Sequence, residues 1–211
     1  MYYIIMDTET TGLYNNDEVI QLSAIKIDEK FNLLDMCSFY CTPKKKIDSR
    51  ASKVHGITQS NIVLLSEGKN IVEQLQDTFL VNERNATFVF YNAKFDVGKI
   101  LTSCAKHGKP NILPLNNEIT SLDNNPSGIN YFCLMKYFAN KYYNKSYKKL
   151  VDVYDTFVPL KRESLGLIID KVKKIKGGDS IGYNEENRPH DALYDTMMTL
   201  YLLKEVVLNN R

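Results

Sequence analysis

The sequence predicts a single α/β domain built on a mixed β-sheet, with an antiparallel hairpin beside parallel strands and helices on its flanks. Three observations predict this. The run YYIIM ahead of Asp7 and the run TFVFY at 87 to 91 are almost continuously apolar, which suits strands buried on both faces. Between them, VIQLSAIKI (19 to 27) and FNLLDMCSFYC (31 to 41) are joined by the short polar link Asp28-Glu29-Lys30, the signature of a hairpin. Helical periodicity then dominates the second half of the chain, in the order β-β-β-α-β-α, a fifth strand, then helices. The 211 residues are enough for one substantial core, and no repeat or linker divides them, so residues 1-211 are expected to fold as one unit.

Each element has its own warrant. Residues 2 to 8 are too apolar for a half-exposed strand and belong at the centre of the sheet. A loop carrying Pro43 and Gly56 follows the hairpin. Ile71, Leu75 and Phe79 recur at helical spacing and predict a helix from Asn70 to Leu80. After TFVFY, Ala93, Val97, Ile100, Leu101 and Cys104 form a helical stripe that Gly108 and Pro110 terminate. The stretch 111 to 128 is rich in Asn, Pro and Ser and is expected to be loop. INYFCLM (129 to 135) predicts a short edge strand leading into a helix, and another helix is expected near 146 to 156. In the polar, lysine-rich segment 158-189, the first half is expected to be helix and the second a mobile loop. The last helix is expected from Asp191 to Leu208.

Composition excludes several classes. Hydrophobic residues at 44% and charged residues at 25% are ordinary for a soluble domain. No run approaches the roughly 20 apolar residues of a membrane span. The N-terminal apolar stretch is short, lacks a basic leader and ends in acids, so it is not expected to be a signal peptide, and the default location is cytoplasmic. Cys37, Cys41, Cys104 and Cys133 form no C-x-x-C pair and suit buried, reduced thiols better than a zinc site. The net charge of +2 conceals lysine clusters at 44 to 46, at 145, 148 and 149, and from 171 to 176. Solvated faces account for such clusters without any partner.

The chemistry begins at DTETTG, Asp7 to Gly12. Side chains alternate along a strand, so Asp7 and Glu9 share a face while Thr8 points the other way. At the carboxyl end of a central strand they face the crevice where open α/β sheets bind ligands. A salt bridge to a nearby lysine would excuse two crowded acids, but a divalent cation answers their burial more economically. Oxygen ligands favour Mg²⁺ or Mn²⁺ over zinc. Asn92 and Asp96 follow the second apolar strand and could serve as a helix cap and a first-turn acid. In PHDALYDTMMTLYLL, Asp195 lies on the same helical stripe as Ala192, Thr199, Leu202 and Val206, so an acid there must face something that offsets its burial. His190, at the loop–helix junction beside these acids, suits general-base work.

DTETTG, YNAKFD and HDALYD, in this order, resemble the three motifs of the DnaQ-like 3′→5′ exonucleases, the DEDDh group. VHGIT (54 to 58) matches as well, and CLMK (133 to 136) with the closing helix is similar to the exodeoxyribonuclease X branch. The resemblance covers nearly the whole chain, except 158-189, which has no counterpart and is set apart as a family-atypical insertion. It implies an RNase H-like fold, with Asp7, Glu9, Asp96 and Asp195 holding two divalent cations, Mg²⁺ or Mn²⁺, and His190 as the general base. Thr10, Thr11 and Gly12 would lie against the terminal nucleotide, with Asn92 supporting the site. The implied reaction is hydrolysis of terminal phosphodiester bonds at the 3′ end of single-stranded or frayed DNA, releasing nucleoside 5′-monophosphates.

Three other readings are compatible with parts of the pattern. An exoribonuclease of the same group would share all five residues. A non-catalytic nucleic-acid-binding module would keep the fold alone. A proofreading subunit would dock on a polymerase; no evident docking tail is present, so a stand-alone nuclease is expected. YFANKYYNKSYKK (137 to 149) interleaves aromatics with lysines. It reads either as a strand-tracking surface, with Tyr142, Tyr143 and Tyr147 beside Lys141, Lys145 and Lys148, or as an amphipathic segment with buried tyrosines.

Overall fold

A computed structural model describes residues 2–115, 117–122, 128–160 and 190–209. Six strands form one sheet: β1 (Tyr2–Thr10), β2 (Val19–Asp28), β3 (Leu33–Tyr40), β4 (Ala86–Phe90), β5 (Glu118–Ile119) and β6 (Ile129–Cys133). Their order is β3-β2-β1-β4-β6-β5. The β1–β2 and β2–β3 pairs are antiparallel, and β1–β4, β4–β6 and β5–β6 are parallel. The helices are α1 (Ser49–His55), α2 (Ile62–Leu65), α3 (Ile71–Gln76), α4 (Ala93–Lys106), α5 (Leu134–Tyr142), α6 (Leu150–Phe157) and α7 (Ala192–Asn209). The mixed sheet with flanking helices is the architecture expected from the sequence. No helix among the described residues is long and apolar enough to cross a membrane.

β1 lacks hydrophobic alternation because both of its faces are covered. Tyr3 and Ile5 pack with Leu193, Met198 and Leu202 of α7. Ile4 and Met6 pack on the opposite face with Leu75 of α3 and Val97 and Ile100 of α4. Ile4, Ile5 and Met6 are all 0% exposed, so polar residues are excluded from either face until the strand leaves the core at Asp7.

Several elements differ from expectation for identifiable reasons. β6 is not at the edge of the sheet: the two-residue β5 pairs alongside it, and an element that short has no periodicity to detect. The loop around Pro43 and Gly56 contains α1 and α2. Asp48 caps α1 by accepting from the Arg50 N–H at 2.8 Å, and Gly56 ends it with φ 74°. No residue of α1 is buried, so it carries no apolar stripe. The helix expected over Asn70–Leu80 divides. Asn70 and Glu73 form a capping box on α3, and a 3₁₀ turn follows at Phe79–Asn82. α6 starts at Leu150 rather than near 146, because Asn144 and Lys145 both take the left-handed conformation, φ 46° and 64°, and turn the chain. Of the segment 158-189, only 158 to 160 are described and these are not helical; the rest of the expected helix and mobile loop lies outside the described residues.

Replacing Ile5 with Ala is expected to cost about 2–5 kcal/mol of stability. Urea unfolding of the two proteins measures it.

Candidate active site

β1 extends beyond its parallel neighbour. It pairs with β4 only as far as Ile5 with Val89, but with β2 as far as Thr10 with Val19. The tip from Met6 to Thr10 therefore has one open edge, at the carboxyl ends of both strands. Asp7 and Glu9 continue the row of Tyr3 and Ile5 toward α7, and both are half-buried. Thr8 continues the row of Ile4 and Met6 toward α4 and is buried. The opposed orientation of Thr8 has a use: its hydroxyl donates to Asp96 Oδ1 at 2.8 Å. Asp96, in the first turn of α4 and 3% exposed, is thereby tied to β1 from the second face of the sheet.

α7 supplies the other side. Ligand atoms of Glu9, His190 and Asp195 all lie within 4.8 Å of one another. His190 adopts φ 72°, a left-handed junction that ends the preceding chain and starts the helix. The sequence therefore placed Asp7, Glu9, Asp96, His190 and Asp195 on elements that converge at one strand tip.

Two contributors were not anticipated. Asp191 caps α7, its Oδ1 accepting from the N–H groups of Leu193 at 3.0 Å and Tyr194 at 3.2 Å. Its Oδ2 accepts from Gln21 Nε2 at 3.0 Å, while Gln21 Oε1 accepts from the Ala192 N–H at 3.2 Å. Gln21 is buried and stands opposite Glu9 in the β1–β2 register, so it fastens the start of α7 beside Glu9. The only sign of this in the sequence is a glutamine in the otherwise apolar run VIQL. The second contributor is His55 of VHGIT. Its Nδ1 accepts from the Ile57 N–H at 3.1 Å, so Nε2 bears the proton and donates to the Thr10 carbonyl at 3.2 Å. Burial first, then the charge of nearby His190, lowers its pKa to about 4, so His55 is a neutral anchor for the turn.

That turn engages its own polar groups. The Thr10 hydroxyl donates to the Gly12 carbonyl at 2.8 Å, and the Thr11 hydroxyl donates to Asp17 Oδ1 at 3.1 Å. A Cβ on Gly12 would come within 2.7 Å of Asp17 Oδ2, which is the steric reason for glycine there. Leu13 and Tyr14, 83% and 64% exposed, form its outer tip. Asn92 is half-buried at the start of α4, and its side chain makes no capping bond.

The electrostatics are unfavourable without a cation. Burial raises the carboxyl pKa values of Asp7 and Glu9 well above normal, and the neighbouring acids, including Asp191 and Asp195, push them further. Burial brings Asp96 to about 7 against the opposing Thr8 hydrogen bond. Burial and then the Asp191 charge bring Asp195 to about 7. None of the ion pairs among the described residues reaches any of these four acids. Asp195 Oδ1 is buried and has no hydrogen-bond partner among the described residues. A buried carboxylate oxygen without a partner, amid mutually repelling acids, fits the donor set of a hard divalent cation.

The sequence also matches known proteins. Residues 4–157 match the RNase T exonuclease family. The chain belongs to this exonuclease family. Over 103 residues it is 39% identical to DNA polymerase III subunit epsilon of Buchnera aphidicola subsp. Acyrthosiphon pisum, a match that covers 46% of this chain and 42% of that protein. Over 107 residues it is 34% identical to DNA polymerase III PolC-type of Caldanaerobacter subterraneus subsp. tengcongensis, covering 50% of this chain and 7% of that one. The chain thus spans less than half the length of these relatives. Its fold is similar to that of E. coli ExoI in a complex with single-stranded DNA, with TM-score 0.63, 18% identity and coverage of 99% of this chain and 40% of that one. It is also similar to Exonuclease X in complex with 5′ overhanging duplex DNA, with TM-score 0.53, 19% identity and coverage of 99% and 92%. This exonuclease-family domain therefore has the RNase H-like fold of these structures.

Two outcomes follow from the site. The folded-state pKa values of Asp96 and Asp195 lie above their unfolded value of 3.8, so their stabilising contribution is complete below that pH and is lost as pH rises through about 7. In EDTA the melting temperature should therefore fall between pH 5 and pH 8, by about 2–4 °C per kcal/mol lost. Mg²⁺ or Mn²⁺ should restore it more at pH 8 than at pH 5, as read by scanning calorimetry. Gln21→Ala should weaken Mn²⁺ binding about 10- to 100-fold by releasing the start of α7, measured by isothermal titration.

Proposed function

We propose that this domain is a metal-dependent 3′→5′ exonuclease that hydrolyses terminal phosphodiester bonds of single-stranded or frayed DNA and releases nucleoside 5′-monophosphates. The observation that carries the proposal is the convergence of Glu9, His190 and Asp195 within 4.8 Å, beside Asp7 and Asp96. Asp7, Glu9, Asp96 and Asp195 would hold two divalent cations, Mg²⁺ or Mn²⁺. Such ions supply a lowered water pKa and neutralise charge at a phosphate.

The chain's own residues account for the remaining steps. Burial and the Lys149 ammonium lower the pKa of His190, which keeps the imidazole neutral near pH 7 and able to accept a proton from the attacking water. The left-handed backbone at His190 and the Gln21–Asp191 clasp hold that imidazole at the mouth of the acid cluster. Thr8 orients Asp96, and His55 with Asp17 fixes the turn Thr10-Thr11-Gly12. The Thr10 and Thr11 hydroxyls are engaged within the protein, so this turn would meet the terminal nucleotide through its shape and backbone. Asn92, whose side chain is not used as a cap, would support the same wall.

A DNA substrate is favoured by the relatives, DNA polymerase III subunit epsilon and DNA polymerase III PolC-type, and by neighbours seen with DNA. The same relatives support a second reading, a proofreading nuclease working with a polymerase. Excision rates on matched and mismatched primer termini separate it from a general end-trimming role, and matched DNA and RNA oligonucleotides separate DNA from RNA specificity.

The decisive experiment is digestion of a 5′-labelled oligonucleotide with Mg²⁺ or Mn²⁺, with products resolved as monophosphates. Asp7→Ala should reduce release to background. His190→Gln should lower kcat about 10²- to 10⁴-fold with metal binding retained. Wild-type protein that leaves 3′ ends intact, or an Asp7→Ala variant as active as wild type, would refute the assignment.

A further inference from the structure

The segment from Tyr142 to Lys149 divides into two parts that the sequence alone left undivided. Tyr142 and Tyr143 pack on Phe157, with ring centroids 4.7 Å and 6.3 Å away, and so have their rings engaged in the aromatic cluster of α5, although Tyr142 stays 44% exposed. Tyr147 is different. It is 61% exposed, and Lys145, Lys148 and Lys149 around it are exposed as well.

The backbone carries this second part toward the acid cluster. Asn144 and Lys145 are consecutive non-glycine residues in the left-handed region, φ 46° and 64°, which L side chains other than Asn rarely adopt. The Lys145 N–H donates to the Ala139 carbonyl at 2.7 Å and sets the reversal. Tyr91 then donates its hydroxyl to the Lys148 carbonyl at 2.6 Å. Tyr91 directly follows β4 and precedes Asn92, so this bond pins the segment at the carboxyl end of β4, where Asp96 begins its approach. Lys149, the next residue, starts α6 at Leu150 from this pinned position. A strained reversal, a specific pin and three cations at the rim of a nuclease site together call for an external partner.

We infer that Tyr147, with Lys145 and Lys149, forms the strand-binding rim of the site: the ammonium groups take backbone phosphates of a single-stranded nucleic acid, and the Tyr147 ring stacks on one of its bases. The inference rests on the exonuclease reading for the identity of its substrate. Single-strand binders combine these two kinds of contact, with cations along the backbone and aromatic faces for the bases. Lys148 is held back from this role by its position over the Tyr143 ring, 5.7 Å from its centroid.

The test is equilibrium binding of a fluorescein-labelled oligothymidylate in EDTA across a salt series, by anisotropy, alongside hydrolysis of the same oligonucleotide in Mg²⁺. Lys145→Ala/Lys149→Ala should reduce the slope of log K against log salt by about 1.4, since each phosphate contact on a single strand contributes about 0.7. Tyr147→Ala should weaken binding about 5- to 100-fold, and Tyr147→Phe should retain wild-type affinity. The control Lys30→Ala/Arg84→Ala removes the same charge from the amino ends of β1 and β4, Lys30 lying just past Asp28, the partner of Tyr2, and Arg84 just ahead of Ala86, and should leave the slope unchanged. A rim variant whose slope matches wild type, or a control that lowers the slope equally, overturns the inference. So does a Tyr147→Phe variant as weak as Tyr147→Ala. Rim-dependent binding without hydrolysis would sink the exonuclease reading and leave the rim standing; hydrolysis with rim-independent binding would do the reverse.

Discussion

The crowding of four carboxylates at the tip of one strand, Asp96 buried and the other three half-buried, is the constraint around which the rest of the molecule is arranged. Asp7, Glu9, Asp96 and Asp195 come from three elements, and burial raises each pKa. Folding this cluster without a cation is costly, because each group loses water and gains like-charged neighbours. The remainder of the domain supplies the cost. Two apolar layers clamp β1 from both faces, and their burial opposes that cost.

That constraint explains otherwise unrelated details. β1 outruns β4, which opens an edge for Asp96 to enter. Thr8, on the wrong face to join Asp7 and Glu9, is on the right face to hold Asp96. Gln21 and Asp191 connect β2 to α7 so that Asp195 and His190 arrive at a defined distance from Glu9. Asp191 also adds a further negative charge to the cluster, so the same residue that fastens the helix sharpens the demand for a counter-ion.

On the proposed function, His190 would accept a proton and the acids would hold metal against a shaped turn. The turn after Gly12 is closed by Asp17 and anchored by a neutral His55. Its rigidity is internal, since its hydroxyls bond within the protein. On the other flank, the 144 to 149 reversal holds exposed lysines and is pinned by Tyr91 at the carboxyl end of β4. The acid cluster thus has a turn shaped by hydrogen bonds on one side and, past Tyr91, a segment bearing exposed lysines, which on the proposed function would position a polyanion.

The sequence by itself determined the strand–turn character of DTETTG, the shared face of Asp7 and Glu9, and the helical stripe bearing Asp195. These depend on local geometry, the two-residue period of strands and the 3.6-residue period of helices. Motif order pointed to Asp96 and His190 as their companions. Gln21, His55 and the use of Thr8 were decided only by tertiary structure. Each makes its contact across 45 to 171 residues of chain, and nothing local distinguishes a buried glutamine that clasps a helix from one that faces water. The same holds for YFANKYYNKSYKK: composition is identical for a strand-binding surface and a buried aromatic patch. Only the left-handed pair at Asn144 and Lys145 separates the tyrosines whose rings pack on Phe157 from Tyr147.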